Sequence, residues 1–256
     1  MEDSINHRNY TIKIVNDDDP ANPLIEWETD ALVAVYYDRS LSLYQHGLAS
    51  HQNVINSIEV PVFSRSQIKS DWEAITDALK IFTKRLKYTV QAYTDYKFST
   101  YGTFEDMFND MVSNVVAELN DREALEVLGE LYNLHPDYAA YTGTGTGYTQ
   151  GQWHEILVVV ELKNYRQPDT TTNTPEVNEA ATNSAEAIAT LYRDWAYNDV
   201  YGYTIEDDDN EQIDACWGFY GEYMSDGYNY MIDQAKAAID THIADVGEQL
   251  ELELGN

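Results

Sequence analysis

The sequence predicts an α+β fold: a mixed or antiparallel sheet with several packed amphipathic helices. Three observations carry this. Short alternating or β-branched runs occur at Tyr10 to Val15, Ala31 to Tyr37, Trp153 to Leu162, Val200 to Glu206 and Asp214 to Tyr220. Longer stretches with apolar residues at helical spacing lie between them. The two kinds of element are interspersed irregularly, which disfavours a doubly wound parallel sheet. The 256 residues suffice for one large domain or two small ones, and no internal repeat is present.

Each element follows from local chemistry. Tyr10 to Val15 alternates as a half-buried strand does, and Asn16 to Pro20 ends it. Ala31 to Tyr37 is a second strand. Ile58 to Phe63 is a third, placed at an edge by Pro61. Ser70 and Glu73 have capping-box spacing. A helix is expected from there to about Tyr96, with Trp72, Ile75, Leu79, Phe82, Leu86 and Val90 on its apolar face. Thr103 reads as the N-cap of a helix bearing Phe104, Met107, Phe108, Met111, Val115 and Leu119. Asp121 caps the next, which His135 and Pro136 stop.

Thr142 to Gly147, with a glycine at every second position, reads as a flexible loop. Trp153 to Leu162 is a buried strand. Pro168 to Pro175, with three consecutive threonines, is the linker candidate. It divides the chain into an N-terminal α+β region, 1–166, and a strongly acidic helix-hairpin-helix region, 167–256, packed into the same domain. In the second region, Glu176 to Asn198 is an Ala-rich helix. Val200 to Glu206 and Asp214 to Tyr220 form a hairpin around Asp207 to Asn210. Tyr228 to Val246 is a final amphipathic helix, and Gln249 to Leu254 alternates as an added strand or a loose end would.

Charge is the strongest global property. Forty-five acids oppose 15 bases, a net −30. Residues 167–256 hold 20 acids and two bases, Arg193 and Lys236, for −18; the first 166 residues hold 25 acids and 13 bases, for −12. Such a balance opposes direct binding to DNA, RNA or anionic lipid and favours proteins with basic surfaces. The lone Cys216 has no internal disulfide partner, as in a reducing compartment. The first ten residues lack a signal-peptide pattern. The longest apolar run, Ile156 to Val160, falls far short of the roughly 20 residues a spanning helix needs. A cytoplasmic protein, not embedded in a membrane, is expected.

The most enzyme-like motif is Val158 to Lys163. It resembles the E-x-K half of the PD-(D/E)xK nuclease core. Alternation along a strand would put Glu161 and Lys163 on one face, the carboxylate holding Mg²⁺ and the lysine orienting water. Asp137, after Pro136, would be the second metal ligand. Against this, ordinary strands often end in charged residues, and the segment is poor in the bases that phosphates require. His154 and Glu155 begin the HExxH zinc motif, but Val158 stands where the second His is needed. The six histidines, 7, 46, 51, 135, 154 and 242, are scattered. Counting from Asp207, the EF-hand places for Gly and Glu hold Gln212 and Gly218, so that pattern fails and a solvated turn is expected. The glycines at 143, 145 and 147 lack the Lys of a phosphate loop. Cys216 shows no adjacent base and reads as a packed hairpin thiol, with Trp217, Phe219 and Tyr220 as core and rim. No metal and no cofactor is expected.

Two segments together carry a resemblance: Tyr10 to Ile14 with Asp17 to Pro23, and Val200 to Glu206 with Asp214 to Gly221. They resemble an uncharacterised family of phage- and plasmid-encoded acidic accessory proteins. Gly151 and Gln152 lie where that family carries an S-G-Q-V-G-like segment, although Gln150, Trp153 and His154 depart from it. The resemblance covers about a quarter of the chain. It implies a mobile-element context inside a host cell, and no catalytic residue.

Three functions are therefore expected. The first is a protein-interaction role, as a DNA mimic that occupies the basic groove of a nucleic-acid-binding or defence protein of the host. Thirty charges equal roughly 50 Å of duplex at one charge per roughly 1.7 Å, and a compact chain of this length is roughly 45 Å across. Its surface would be the helix from Glu176, the hairpin and the last helix, with Asp194, Asp199, Asp207, Asp208, Asp209, Asp226, Asp233, Asp240 and Asp245 as the charges. The second is the Mg²⁺-dependent nuclease of Asp137, Glu161 and Lys163. The third is an acidic structural or virion-associated protein, whose charge maintains solubility. Oligomeric state is left open.

Overall fold

The computed structural model describes residues 3–21, 23, 30–37, 59–80, 103–117, 119, 121–146, 153–168, 170–196, 199–221 and 225–254. The fold is α+β, with two antiparallel sheets. The chain separates into two compact units: residues 29–189, and residues 1–28 with 190–256. The division falls inside a helix rather than at the 166/167 linker, because Arg166 and Asn173 knit that stretch into the first of these units. Arg166 Nε donates to Asn173 Oδ1 at 2.6 Å, and Asn173 Nδ2 donates to the Pro136 carbonyl.

The acid-rich unit, 1–28 with 190–256, contains β1 (Asp3–His7), β2 (Tyr10–Asn16), β6 (Val200–Glu206) and β7 (Gln212–Tyr220) in the order β1-β2-β6-β7. All three pairings are antiparallel. β1 is an addition to the sequence expectation. His7 pairs with Tyr10 across Arg8 and Asn9, and Arg8 takes φ 57°, which a hairpin turn needs and which no glycine signals here. Alternation sends Ile12, Ile14, Tyr203 and Ile205 to one face. The last helix, Asp226–Leu254, covers that face with Tyr228, Met231, Ala235 and Ile239, three or four residues apart. Each such Ile or Met contributes about 1.5–3 kcal/mol when fully buried. This helix runs through Gln249 to Leu254, so those residues are neither a strand nor loose.

The second unit, 29–189, contains β3 (Leu32–Tyr37), β4 (Tyr138–Thr146) and β5 (Trp153–Glu161) in the order β3-β5-β4. Its helices are α1 (Arg65–Ser70), α2 (Trp72–Lys80), α3 (Phe104–Ala117), α4 (Asp121–Leu134) and most of α5 (Pro175–Ala196); the last helix of the chain is α6. β5 is central, so its run from Ile156 to Val160 is buried on both faces. α4 packs two ways. Leu125, Leu128 and Tyr132 meet Ala34, Ala140, Leu157 and Val159 of the sheet. Val127 and Leu131 meet Phe63, Ile68, Ile75, Phe108 and Val115.

Three local expectations are corrected. The capping box is Ser64 with Gln67, opening α1; Ser70 ends that helix and donates to the Gln67 carbonyl instead. Residues 59–63 form no strand. They run as an extended segment tied down by Asn109, whose side chain accepts from Phe63 N and donates to Phe63 O, both at 2.9 Å. Thr142 to Thr146 is strand rather than loop. Gly143 and Gly145 sit opposite Ile156 and His154, since backbone pairing to β5 supplies what glycine propensity does not. Gly129 of α4 faces that strand. A Cβ there would lie 2.3 Å from Thr142 Oγ1, so the glycine sets the helix-to-strand approach. Thr103 caps α3 as expected, accepting from Asp106 N at 3.1 Å. The expected helix continuation over 81–96 and the Gly147 and Gly151 positions lie outside the described residues.

Candidate interaction surface

The unit formed by residues 1–28 and 190–256 holds 23 acids and 4 bases, a net −19 in 95 residues. The other unit, at 161 residues, holds 22 acids and 11 bases, a net −11. All nine surface acids expected from sequence fall in the first of these.

α6 arranges four of them. Its buried positions fix its outward ones, and Asp226, Asp233 and Asp240 recur every seven residues on the exposed side, about 10.5 Å apart along the axis. Asp245 follows, exposed. Local cations temper this stripe. Arg8 Nε lies 2.8 Å and His7 Nε2 3.2 Å from Asp240 Oδ1. The His7 hydrogen bond first, and then the charge of Arg8, hold the Asp240 carboxyl below its ordinary range. Lys236 Nζ lies 3.8 Å from Asp233.

The hairpin turn arranges three more. Asp207 Oδ1 accepts from Asp209 N at 2.9 Å and Glu211 N at 2.8 Å, and Asn210 takes φ 61°. Asp207 is thus a turn-former, while Asp208 and Asp209 project into solvent. Asp199 is half-buried at the entry to β6, where its carbonyl accepts from Gly221 N at 3.0 Å.

Asp194 is a correction. It is 4% exposed and accepts from Arg193 Nη2 at 3.0 Å and Nε at 3.2 Å, so it belongs to the interior of its unit and not to an acidic face. Helical periodicity does not announce this: Asp194 lies opposite the stripe of Ala181, Ala185, Ala189 and Tyr192, and it is buried at the C-terminal end of α5, next to Trp195. Cys216 is likewise not a packed thiol; it is exposed on β7. Four further exposed acids among the described residues of this unit lie outside the expected set: Asp18 and Asp19 after β2, Glu211 at the hairpin turn and Asp214 on β7. Trp217, on the same strand as Asp214, is 49% exposed.

The E-x-K residues sit in the other unit. Glu161 ends β5, paired with Tyr138, but Lys163 lies in the 3₁₀ turn Leu162–Tyr165 and not on the strand. The two still form an ion pair, and that hydrogen bond raises the Lys163 ammonium. Asp137 turns to Arg166, whose Nη2 lies 3.6 Å from Oδ1. Each carboxylate thus has its own cation. Among the described residues no group of three His, Cys, Asp or Glu side chains is placed to hold a metal ion. His135 is buried and saturated: Nδ1 accepts from Asp137 N at 3.3 Å, leaving Nε2–H to donate to the Val62 carbonyl at 3.2 Å. It lines a cleft of about 420 Å³ with Tyr138, Leu162, Asn173, Asn178 and Thr182. Among the described residues no helix is long and apolar enough to cross a membrane.

No family model, curated protein or solved structure matches the chain.

Proposed function

We propose that the protein acts through protein–protein contact, as an acidic mobile-element accessory factor that occupies the nucleic-acid groove of a basic host protein. The observation that carries this reading is the density of charge in one unit. Nineteen net negative charges correspond to about 32 Å of duplex DNA at one charge per roughly 1.7 Å. A compact body of 95 residues has a radius of gyration of about 12 Å and is about 32 Å across. The unit therefore offers a basic groove the linear charge of the ligand it evolved to hold. Asp208, Asp209, Asp226, Asp233 and Asp245 are the exposed acids that would stand in for phosphates.

The test immobilises the protein, exposes it to nuclease-treated host lysate and elutes with rising salt. A DNA- or RNA-binding protein released at moderate salt and displaced by added duplex supports the reading. Retention that added duplex leaves untouched counts against mimicry. A loss of retention in a variant carrying Asn at 208, 209, 226, 233 and 245 locates the surface.

A further inference from the structure

Among the described residues β7 is the outermost strand of its sheet, bonded to β6 on one side. Its pairing passes from Tyr201 opposite Phe219 to Tyr203 opposite Cys216, so Trp217 and Gly218 together oppose Gly202. This is a β-bulge, and Gly218 takes φ 84°. The bulge aims the indole at Gly202. A Cβ on that glycine would lie 2.1, 2.5 and 2.7 Å from three atoms of the six-membered ring, so one face of the ring covers the backbone. The side chain is still 49% exposed, which leaves the other face to solvent. Tyr201, Tyr203 and Ile205 belong to the core under α6, so Gly202 and the indole stand on the opposite face of the sheet.

An exposed, backbone-seated indole in a unit of net charge −19 selects its partner by sign. Nucleic acid and a second copy of this chain, at −30, are both repelled. A cation is attracted twice, by the field and by the ring face. Guanidinium fits better than ammonium, because it is planar and more weakly hydrated. The acidic turn gives a second anchor. Gln212, where the turn meets β7, is five residues from Trp217, or about 17 Å along a strand. An extended chain spans that distance in about five residues.

We infer that the Trp217 face of β7 docks an extended basic segment, with an Arg guanidinium stacked on the indole and a second cation, five positions away, on the Asp208–Asp209 turn. This rests on the reading of the acid-rich unit as a surface for basic proteins, and it names the segment recognised.

The test uses the full chain and a labelled Arg-Gly-Ser-Gly-Ser-Arg peptide, with a Lys-for-Arg peptide beside it, followed by fluorescence anisotropy at fixed salt. The Arg peptide is expected to bind more tightly than the Lys peptide. Trp217→Leu, which keeps Gly202 covered but has no π face, weakens the Arg peptide about two- to fivefold and abolishes the Arg preference. Trp217→Phe retains part of it. Asp208→Asn with Asp209→Asn weakens both peptides, and Glu126→Gln, at an exposed position of the other unit, leaves both within twofold. Unchanged Arg-peptide affinity in Trp217→Leu overturns the docking site. If the turn variants still lose binding in that case, the acidic reading survives without it. If no variant alters binding and salt alone sets it, both fail.

Discussion

Arg8, at the tip of the β1–β2 hairpin, holds the carboxylate of Asp240 in α6 at 2.8 Å, with His7 on the same oxygen at 3.2 Å. The pair ties the first strands of the acid-rich unit to its last helix, and it spends one of only four bases in that unit on an internal contact. Because the Asp240 carboxyl is held below its ordinary value of 3.8, its contribution to stability is present above that pH and is lost as pH falls through the lower, folded value. The stability difference between the natural protein and Asp240→Asn should therefore be constant near neutral pH and close below about pH 4. Urea unfolding at several pH values measures it. A difference that persists unchanged at pH 2.5 would refute the ion pair's role.

Tyr192 is buried on α5, and its hydroxyl has no hydrogen-bond partner among the described residues. An unsatisfied buried hydroxyl is destabilising. Tyr192→Phe should raise unfolding free energy by about 1 kcal/mol. A loss of stability of that size would mean that the hydroxyl is bonded after all.

Gly129 meets Thr142 where α4 crosses β4. Helix propensity alone favours Gly129→Ala by about 1 kcal/mol. The clash at 2.3 Å should outweigh it and destabilise by about 1–3 kcal/mol. Adding Thr142→Ala should recover most of the loss, and a double-mutant cycle in denaturant reads the coupling.

Asp194 and Asp208 should separate stability from binding. Asp194→Ala removes a buried carboxylate that accepts from the part-exposed Arg193 guanidinium and should cost about 1–2 kcal/mol. Asp208→Asn should leave the melting temperature within about 2 °C and change only affinity for cationic partners.

Several features were legible because the signal is local. Thr103, the His135–Pro136 stop and the Asp207–Asn210 turn each declare themselves within four residues, and each stands where the sequence puts it. β5 was legible from its unbroken apolar run. β4 was not, because alternating Thr and Gly carry no strand propensity of their own; pairing with β5 along nine residues decides it. β1 was hidden by a turn whose positive φ falls on Arg8 rather than on glycine. At the surface, acid count was readable but exposure was not. Asp194 and Asp233 look alike in sequence; Asp233 falls opposite the α6 residues that meet the sheet and is exposed, whereas Asp194 is buried at the end of α5, which the periodicity of that helix does not announce.

The sheet of the acid-rich unit joins β2 to β6, whose register sets Ile12 against Ile205. Between those two residues the ribosome must make the whole of the other unit. At about 5–20 residues per second, Ile12 waits about 10–40 s for its partner. During that time the β1–β2 hairpin has no third strand, and a lone hairpin is marginal in water. Residues 29–189 are contiguous and can condense first. Biogenesis therefore runs from the middle of the chain outwards, and a truncated nascent chain stalled before residue 200 would hold a folded middle and a bare, apolar hairpin for a chaperone to guard.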